Sequence, residues 1–205
     1  MSRISILDYG MGNIGSLVNM IRRAGGESIV IADADAVRTA EKLILPGVGH
    51  FGNAMRLLAE KGLIEPLAQR VLQDRVPILC ICLGAQLVTE SSEEADVPGL
   101  GWIRGRTVGF ARDRMPDLRI PHMGWNDVQV KKDSPLFLDM HEDPCFYFVH
   151  SFHIVCDDPA DVLCMTRYGY EFVSAVQHEN IFATQFHPEK SHKFGLKLIT
   201  NYVRL

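Results

Sequence analysis

The chain has 205 residues, 47% hydrophobic and 22% charged, which suits one globular domain spanning residues 1–205 at ~150 residues per domain. Its 21 Lys and Arg against 25 Asp and Glu leave a net charge of −4, with no basic footprint for nucleic acid or an anionic membrane. No apolar run approaches the ~18 residues of a membrane span, and no basic-then-apolar leader opens the chain. Five irregularly spaced cysteines fit reduced thiols in a cytoplasmic protein, and exclude a disulfide scaffold.

The first half alternates apolar runs with amphipathic stretches. Residues 4–7 read as a strand ending at Asp8-Tyr9-Gly10. Residues 15–24 are helical, with Leu17, Met20, Ile21 and Ala24 at three- and four-residue spacing, and Gly25-Gly26 stops them. Residues 28–31 and 42–45 are two further strands, the latter closed by Pro46-Gly47. Residues 52–73 are helical with a break at Lys61-Gly62, residues 77–81 form a wholly apolar strand, and residues 84–90 a helix. Apolar strands separated by helices imply a parallel sheet of βαβ units.

The second half reads as short strands at 102–110, 128–131, 145–152, 162–168, 172–178 and 181–186, followed by a helix at 191–203. Residues 91–98 are polar and acidic and read as a surface loop. The expected fold is a single α/β domain with a mostly parallel mixed sheet, flanking helices and added antiparallel strands.

Two motifs compete for the function. Gly10-Met11-Gly12-Asn13-Ile14-Gly15 matches G-x-G-x-x-G after a strand and before a helix, with Asp33 near the position of a ribose-binding acid. That pattern points to an NAD-binding redox protein, although little length remains for a substrate domain. The plainer reading is a tight turn whose glycines take angles that other residues avoid.

Cys80-Ile81-Cys82-Leu83-Gly84-Ala85-Gln86 carries more chemistry. Cys82 falls between a buried strand and a helix, as in a nucleophile elbow. A helix N-terminus facing the sulfur favours the thiolate, and the Leu83 N–H is placed to meet an oxyanion. Cys80, Cys145, Cys156 and Cys164 lack such a turn and read as core. No second cysteine pair stands at zinc-ligand spacing, and neither metal nor cofactor is expected.

A nucleophilic cysteine needs a base and an orienting group. His187-Pro188-Glu189 supplies both: residues two apart in an extended segment share a side, and the proline stiffens it. Glu189 can then fix the tautomer of His187 and leave the other nitrogen for the thiol. His150 closes a strong strand and borders a pocket; His192 opens the last helix. His50, His122, His141, His153 and His178 read as surface or partly buried.

With Cys82, His187 and Glu189 in hand, the chain resembles the class I (Cys-His-Glu) glutamine amidotransferases, and within them the glutaminase subunits of imidazole glycerol phosphate synthases. The likeness runs through Leu45-Pro46-Gly47-Val48-Gly49-His50-Phe51, Cys82-Leu83-Gly84-Ala85-Gln86, Pro121-His122-Met123-Gly124-Trp125-Asn126, Tyr147-Phe148-Val149-His150-Ser151 and Gln185-Phe186-His187-Pro188-Glu189-Lys190-Ser191. The resemblance implies that Cys82, His187 and Glu189 are catalytic and that the Leu83 and Val48 amides form an oxyanion hole. It implies that Gly49, Gln86, His150, Ser151 and Phe152 hold glutamine. It also implies a one-to-one (β/α)₈-barrel cyclase partner docked around Asn13, Trp125 and Lys190, with ammonia delivered for histidine biosynthesis. The loop at residues 10–15 then faces the partner. Two positions depart from the pattern: Cys80 stands where the family has Gly, and Ala85 where near relatives carry Met. Residues 8–13 and 190–195 also resemble paralogues that feed the amination of a surface-polysaccharide sugar, which leaves that acceptor as an alternative.

Overall fold

A computed structural model of the chain describes residues 3–205. The strands are β1 (Ile4–Leu7), β2 (Ser28–Ile31), β3 (Leu43–Gly47), β4 (Ile78–Cys82), β5 (Ser91–Ser92), β6 (Gly105–Gly109), β7 (His122–Asp127), β8 (Gln129–Val130), β9 (Cys145–His150), β10 (Phe152–Cys156), β11 (Val162–Tyr168), β12 (Tyr170–His178) and β13 (Ile181–Thr184). The α-helices are α1 (Ile14–Arg23), α2 (Ala34–Thr39), α3 (Phe51–Glu60), α4 (Ile64–Ala68), α5 (Leu83–Leu87) and α6 (His192–Arg204).

The described residues form one eleven-stranded sheet in the order β2-β1-β3-β4-β13-β12-β10-β6-β5, with β11 and β8 branching from β12. Its βαβ half, from β2 to β13, is parallel. The strands β12, β10, β6 and β11 add to it antiparallel. The pair β7-β9 is a separate two-stranded sheet.

The central strands are buried on both faces, so alternate residues feed two cores. Ile78 and Cys80 of β4 pack with α3, α4 and α5; Leu79 and Ile81 pack with α1 and α6. The last helix is anchored by Lys42, whose buried Nζ donates to the Tyr202 and Val203 carbonyls at 3.1 Å each. Those carbonyls have no partner within the helix, so the ammonium is a C-terminal cap.

The structure revises several sequence expectations. The helix at 52–73 is three pieces, α3, α4 and a π-turn over Gln69–Gln73, because the chain turns at Lys61-Gly62. The helix after Cys82 is only five residues. The apolar stretch 145–152 is not one strand: it breaks at Ser151, with β9 in the small sheet and β10 in the large one. Both β7 and α2 went unforeseen, and residues 91–98, a surface loop as read, also carry the short strand β5 and are tied to the domain. There, Glu94 accepts from the Phe51 N–H at 2.7 Å and Glu93 from the Gly109 N–H at 2.8 Å. His122 and His153 are buried, while Cys145 and Cys156 are only partly so.

Candidate active site

Three adjacent parallel strands end at one edge of the sheet and set the site. In register, Gly47 of β3 lies beside Cys82 of β4, and Thr184 of β13 beside Ile81. The chain leaving β3 therefore passes one flank of Cys82 with Val48 and Gly49. The chain leaving β13 reaches the other with Gln185, Phe186 and His187. The carboxyl edge of such strands is where open α/β sheets bind ligands.

Cys82 sits at φ 55° and ψ −108°, the left-handed strain of an elbow. Simple alternation would place its side chain with Cys80, but it packs in the opposite cluster, turned by that backbone. Gly84 makes the turn possible: a Cβ there would lie 2.1 Å from the Leu45 carbonyl oxygen. Helix α5 is too short for a large dipole, so the principal positive charge available to the sulfur is the His187 imidazolium.

His187 Nδ1 lies 2.8 Å from Glu189 Oε1, and both side chains are at most 2% exposed. A carboxylate only accepts, so Nδ1 carries the proton and Nε2 is left for Cys82. Nε2 has no hydrogen-bond partner among the described residues, and His187 and Cys82 line the same cavity. Burial pulls the imidazole pKa down, but interaction with Cys82 and Glu189 outweighs it and holds the pKa at about 9. The backbone is clamped as well. His187 N–H donates to the Tyr147 carbonyl at 2.9 Å. The Ser191 hydroxyl bridges the two segments, donating to the His187 carbonyl at 2.5 Å and accepting from the Tyr147 N–H at 3.0 Å. Phe146 stacks on Phe186 at 4.0 Å, so buried aromatic area ties β9 to the same segment.

Above these groups opens a cavity of about 320 Å³. Its walls include Val48, Gly49, Cys82, Leu83, Gln86, His150, Ser151, Phe152 and His187, so residues from four separate stretches of sequence meet around one space. Glu189 lies behind His187. The amide of Gln86 donates to the Phe152 carbonyl and to Gln185 Oε1, both at 3.1 Å, and the Gln185 amide points at Cys82 Sγ at 3.7 Å. Sequence reasoning singled out neither Gln185 nor Ser191 for a role. Glu94 and Pro121, which also line the cavity, were missed too. Their only signal was membership of, or closeness to, the motif segments.

The family model for class I glutamine amidotransferases matches residues 5–203, nearly the whole chain. The chain belongs to the class I glutamine amidotransferases. Among curated relatives of this amidotransferase, the imidazole glycerol phosphate synthase subunit HisH 2 of Methanococcus maripaludis is 48% identical, covering 98% of each chain. The protein of the same name from Pseudomonas aeruginosa is 45% identical, over 98% of this chain and 99% of its own. Among solved structures, PurLQS from Thermotoga maritima superposes with a TM-score of 0.78 at 20% identity, over 100% of this chain and 99% of that one. Another solved glutamine amidotransferase superposes with a TM-score of 0.68 at 20% identity, over 96% of this chain and 98% of that one.

Family membership makes the amidotransferase reading outweigh the dinucleotide one. The glycine loop at residues 10–15 packs on the β3 turn, with Met11 Cε 2.6 Å from where a Gly49 Cβ would stand. Where the amidotransferase pattern has Gly, Cys80 is fully buried, and burial pushes its thiol pKa up, so it stays neutral in the core. Trp125 is 46% exposed on β7, stacked on His192 at 5.0 Å, and Lys190 Nζ lies 5.6 Å over the Tyr147 ring. Asn13 is half-buried at the start of α1, which packs beside the 188–190 turn.

Proposed function

We propose that residues 1–205 are one glutaminase domain acting as the glutamine-hydrolysing subunit of an imidazole glycerol phosphate synthase. The observation that carries this reading is the strained Cys82 beside the buried His187–Glu189 pair at the wall of one cavity. The cavity volume suits a ligand of glutamine's size. Gly49, Gln86, His150, Ser151 and Phe152 hold that substrate.

Chemistry follows from the proton positions. With the proton on His187, the Cys82 sulfur attacks the side-chain carbonyl carbon of glutamine, and the C=O electron pair moves onto oxygen. The Leu83 and Val48 amides receive that oxyanion. Collapse of the intermediate breaks the C–N bond as His187 Nε2–H protonates the leaving nitrogen, and ammonia departs from a thioester. Water then gives its proton to His187 and attacks the thioester. The second collapse releases glutamate and restores the thiolate–imidazolium pair. Glu189 stays ionised throughout and stabilises the imidazolium.

The names of the relatives favour histidine biosynthesis over amination of a polysaccharide sugar. The ammonia is used by a cyclase with a (β/α)₈ barrel, bound one-to-one around Asn13, Trp125 and Lys190 in the cytoplasm. Exposed Trp125 is the kind of aromatic that anchors an interface. No helix among the described residues is long and apolar enough to cross a membrane. The test is a complex reconstituted with barrel cyclases from the same genome. Glutamine should drive cyclised product in wild type and not in Cys82→Ser, while ammonium salts drive it in both. Glutamine turnover by Cys82→Ser, or coupling only to a sugar aminase, refutes the assignment.

A further inference from the structure

Two buried histidines, His122 and His150, form a directed hydrogen-bonded chain. His122 of β7 pairs in register with His150 of β9, and the rings meet with His122 Nδ1 2.9 Å from His150 Nε2. His150 Nδ1 lies 2.7 Å from the Phe152 carbonyl oxygen, and His122 Nε2 lies 3.2 Å from Asn126 Nδ2. The Asn126 amide is oriented by its other bonds: Nδ2 donates to the Arg167 carbonyl and Oδ1 accepts from the Asp127 N–H. The rings sit in an aromatic box, His122 stacked on Tyr168 at 4.0 Å and on Phe148 at 4.8 Å, His150 against Phe110 at 5.1 Å and Phe172 at 5.2 Å. Burial holds both rings neutral, with His122 lowered to about 4 and His150 well below its ordinary value.

A neutral imidazole has one donor and one acceptor. The Phe152 carbonyl only accepts, so His150 Nδ1 carries its hydrogen and His150 Nε2 accepts. His122 Nδ1 must therefore donate, and His122 Nε2 accepts from the Asn126 amide. Each step forces the next, and the chain runs one way, from β7 to the cavity wall. Its last acceptor is shared, because Gln86 Nε2 also donates to the Phe152 carbonyl at 3.1 Å.

We propose that His122 is a positioning residue for the substrate cavity: by donating to His150 it locks that ring in the Nδ1–H tautomer, which pins the Phe152 carbonyl and sets the wall formed by residues 150–152. The proposal rests on the reading of this cavity as the glutamine site. Without the His122 donor, His150 is free to move its hydrogen to Nε2, the Phe152 carbonyl loses one of two donors, and the wall loosens. Binding suffers more than chemistry, since Cys82, His187 and Glu189 are outside the chain.

Two measurements decide it. Long-range ¹H–¹⁵N correlation spectra of the full chain, with labelled histidine, should show His122 and His150 both protonated at Nδ1 and bare at Nε2. An Nε2–H signal from His150 overturns the proposal, whatever the variants do. In the cyclase complex, His122→Phe should raise KM for glutamine about tenfold, the equivalent of one hydrogen bond, with kcat within twofold. His122→Asn, whose amide nitrogen stands where Nδ1 stood and restores the donor, should recover most of that loss. An unchanged KM in His122→Phe, or no recovery in His122→Asn, refutes the proposal. A wild-type complex that never hydrolyses glutamine would instead remove the reading of the cavity and leave the tautomer result standing.

Discussion

Gly195→Ala should damage glutamine hydrolysis from a position that touches no substrate. Gly195 lies in the first turns of α6, against the turn that carries His187 and Glu189. A Cβ built there stands 1.8 Å from the Pro188 carbonyl oxygen and 2.8 Å from its carbon. A relaxed C···O contact is about 3.3 Å, so helix and turn must separate by roughly 1.5 Å. The obstacle is backbone, which no rotamer change relieves. Overpacking of this kind costs about 3 kcal/mol and should lower Tm by roughly 6–12 °C in a domain of this size. A displacement of 1 Å in the base is worth about 100-fold in rate, and that is the expected fall in glutamine kcat/KM. The assay compares glutamine-driven with ammonia-driven product formation in the cyclase complex, alongside urea unfolding of the isolated chain. The ammonia-driven rate should survive. As a stability control, Gly15→Ala on α1, where nothing lies within 4 Å of an added Cβ, should be neutral or stabilising by up to about 1 kcal/mol. Wild-type kcat/KM in Gly195→Ala refutes the reasoning, because it would mean that the turn yields without moving His187.

His187→Ala should reduce the glutamine-driven rate by about 10³-fold, and Glu189→Gln by less, since the acid orients while the imidazole moves the proton; steady-state kinetics with ammonia as the control separates these from effects on assembly. Stability should also depend on pH through His187. Its pKa of about 9 in the folded chain lies above the ordinary 6.5, so its stabilisation is complete below about pH 6.5 and is lost as pH rises through about 9. The unfolding free energy of wild type minus that of His187→Ala should therefore shrink across that window, by up to about 3 kcal/mol, and a flat difference would count against the ion pair. At the partner face, Trp125→Ala should weaken cyclase binding about 30-fold and Lys190→Ala less, read by titration calorimetry; unchanged affinity in both would move the interface elsewhere.

The parallel half of the sheet and the chemical groups of the site were legible in the chain itself. Apolar runs at residues 4–7 and 78–81, short and bounded by turn residues, read as buried strands, and Cys82-Leu83-Gly84 and His187-Pro188-Glu189 carry their geometry within a few residues. Local sterics and short-range hydrogen bonding decide such features, so they can be read locally. What joins these segments was decided elsewhere. Residues 145–152 are apolar enough for one strand, and the competing partners, β7 on one side of Ser151 and β6 and β12 on the other, divide them between two sheets. His122 read only as surface or partly buried because its partners, His150 and the Tyr168 ring, are distant in sequence and near only after β7 and β9 pair. The five residues of α5 follow the same logic, since a glycine pressed onto the Leu45 carbonyl governs that turn more than helix propensity does. Periodicity reports which face of an element is buried, while the identity of the neighbour across that face depends on long-range pairing that no single stretch of the chain encodes.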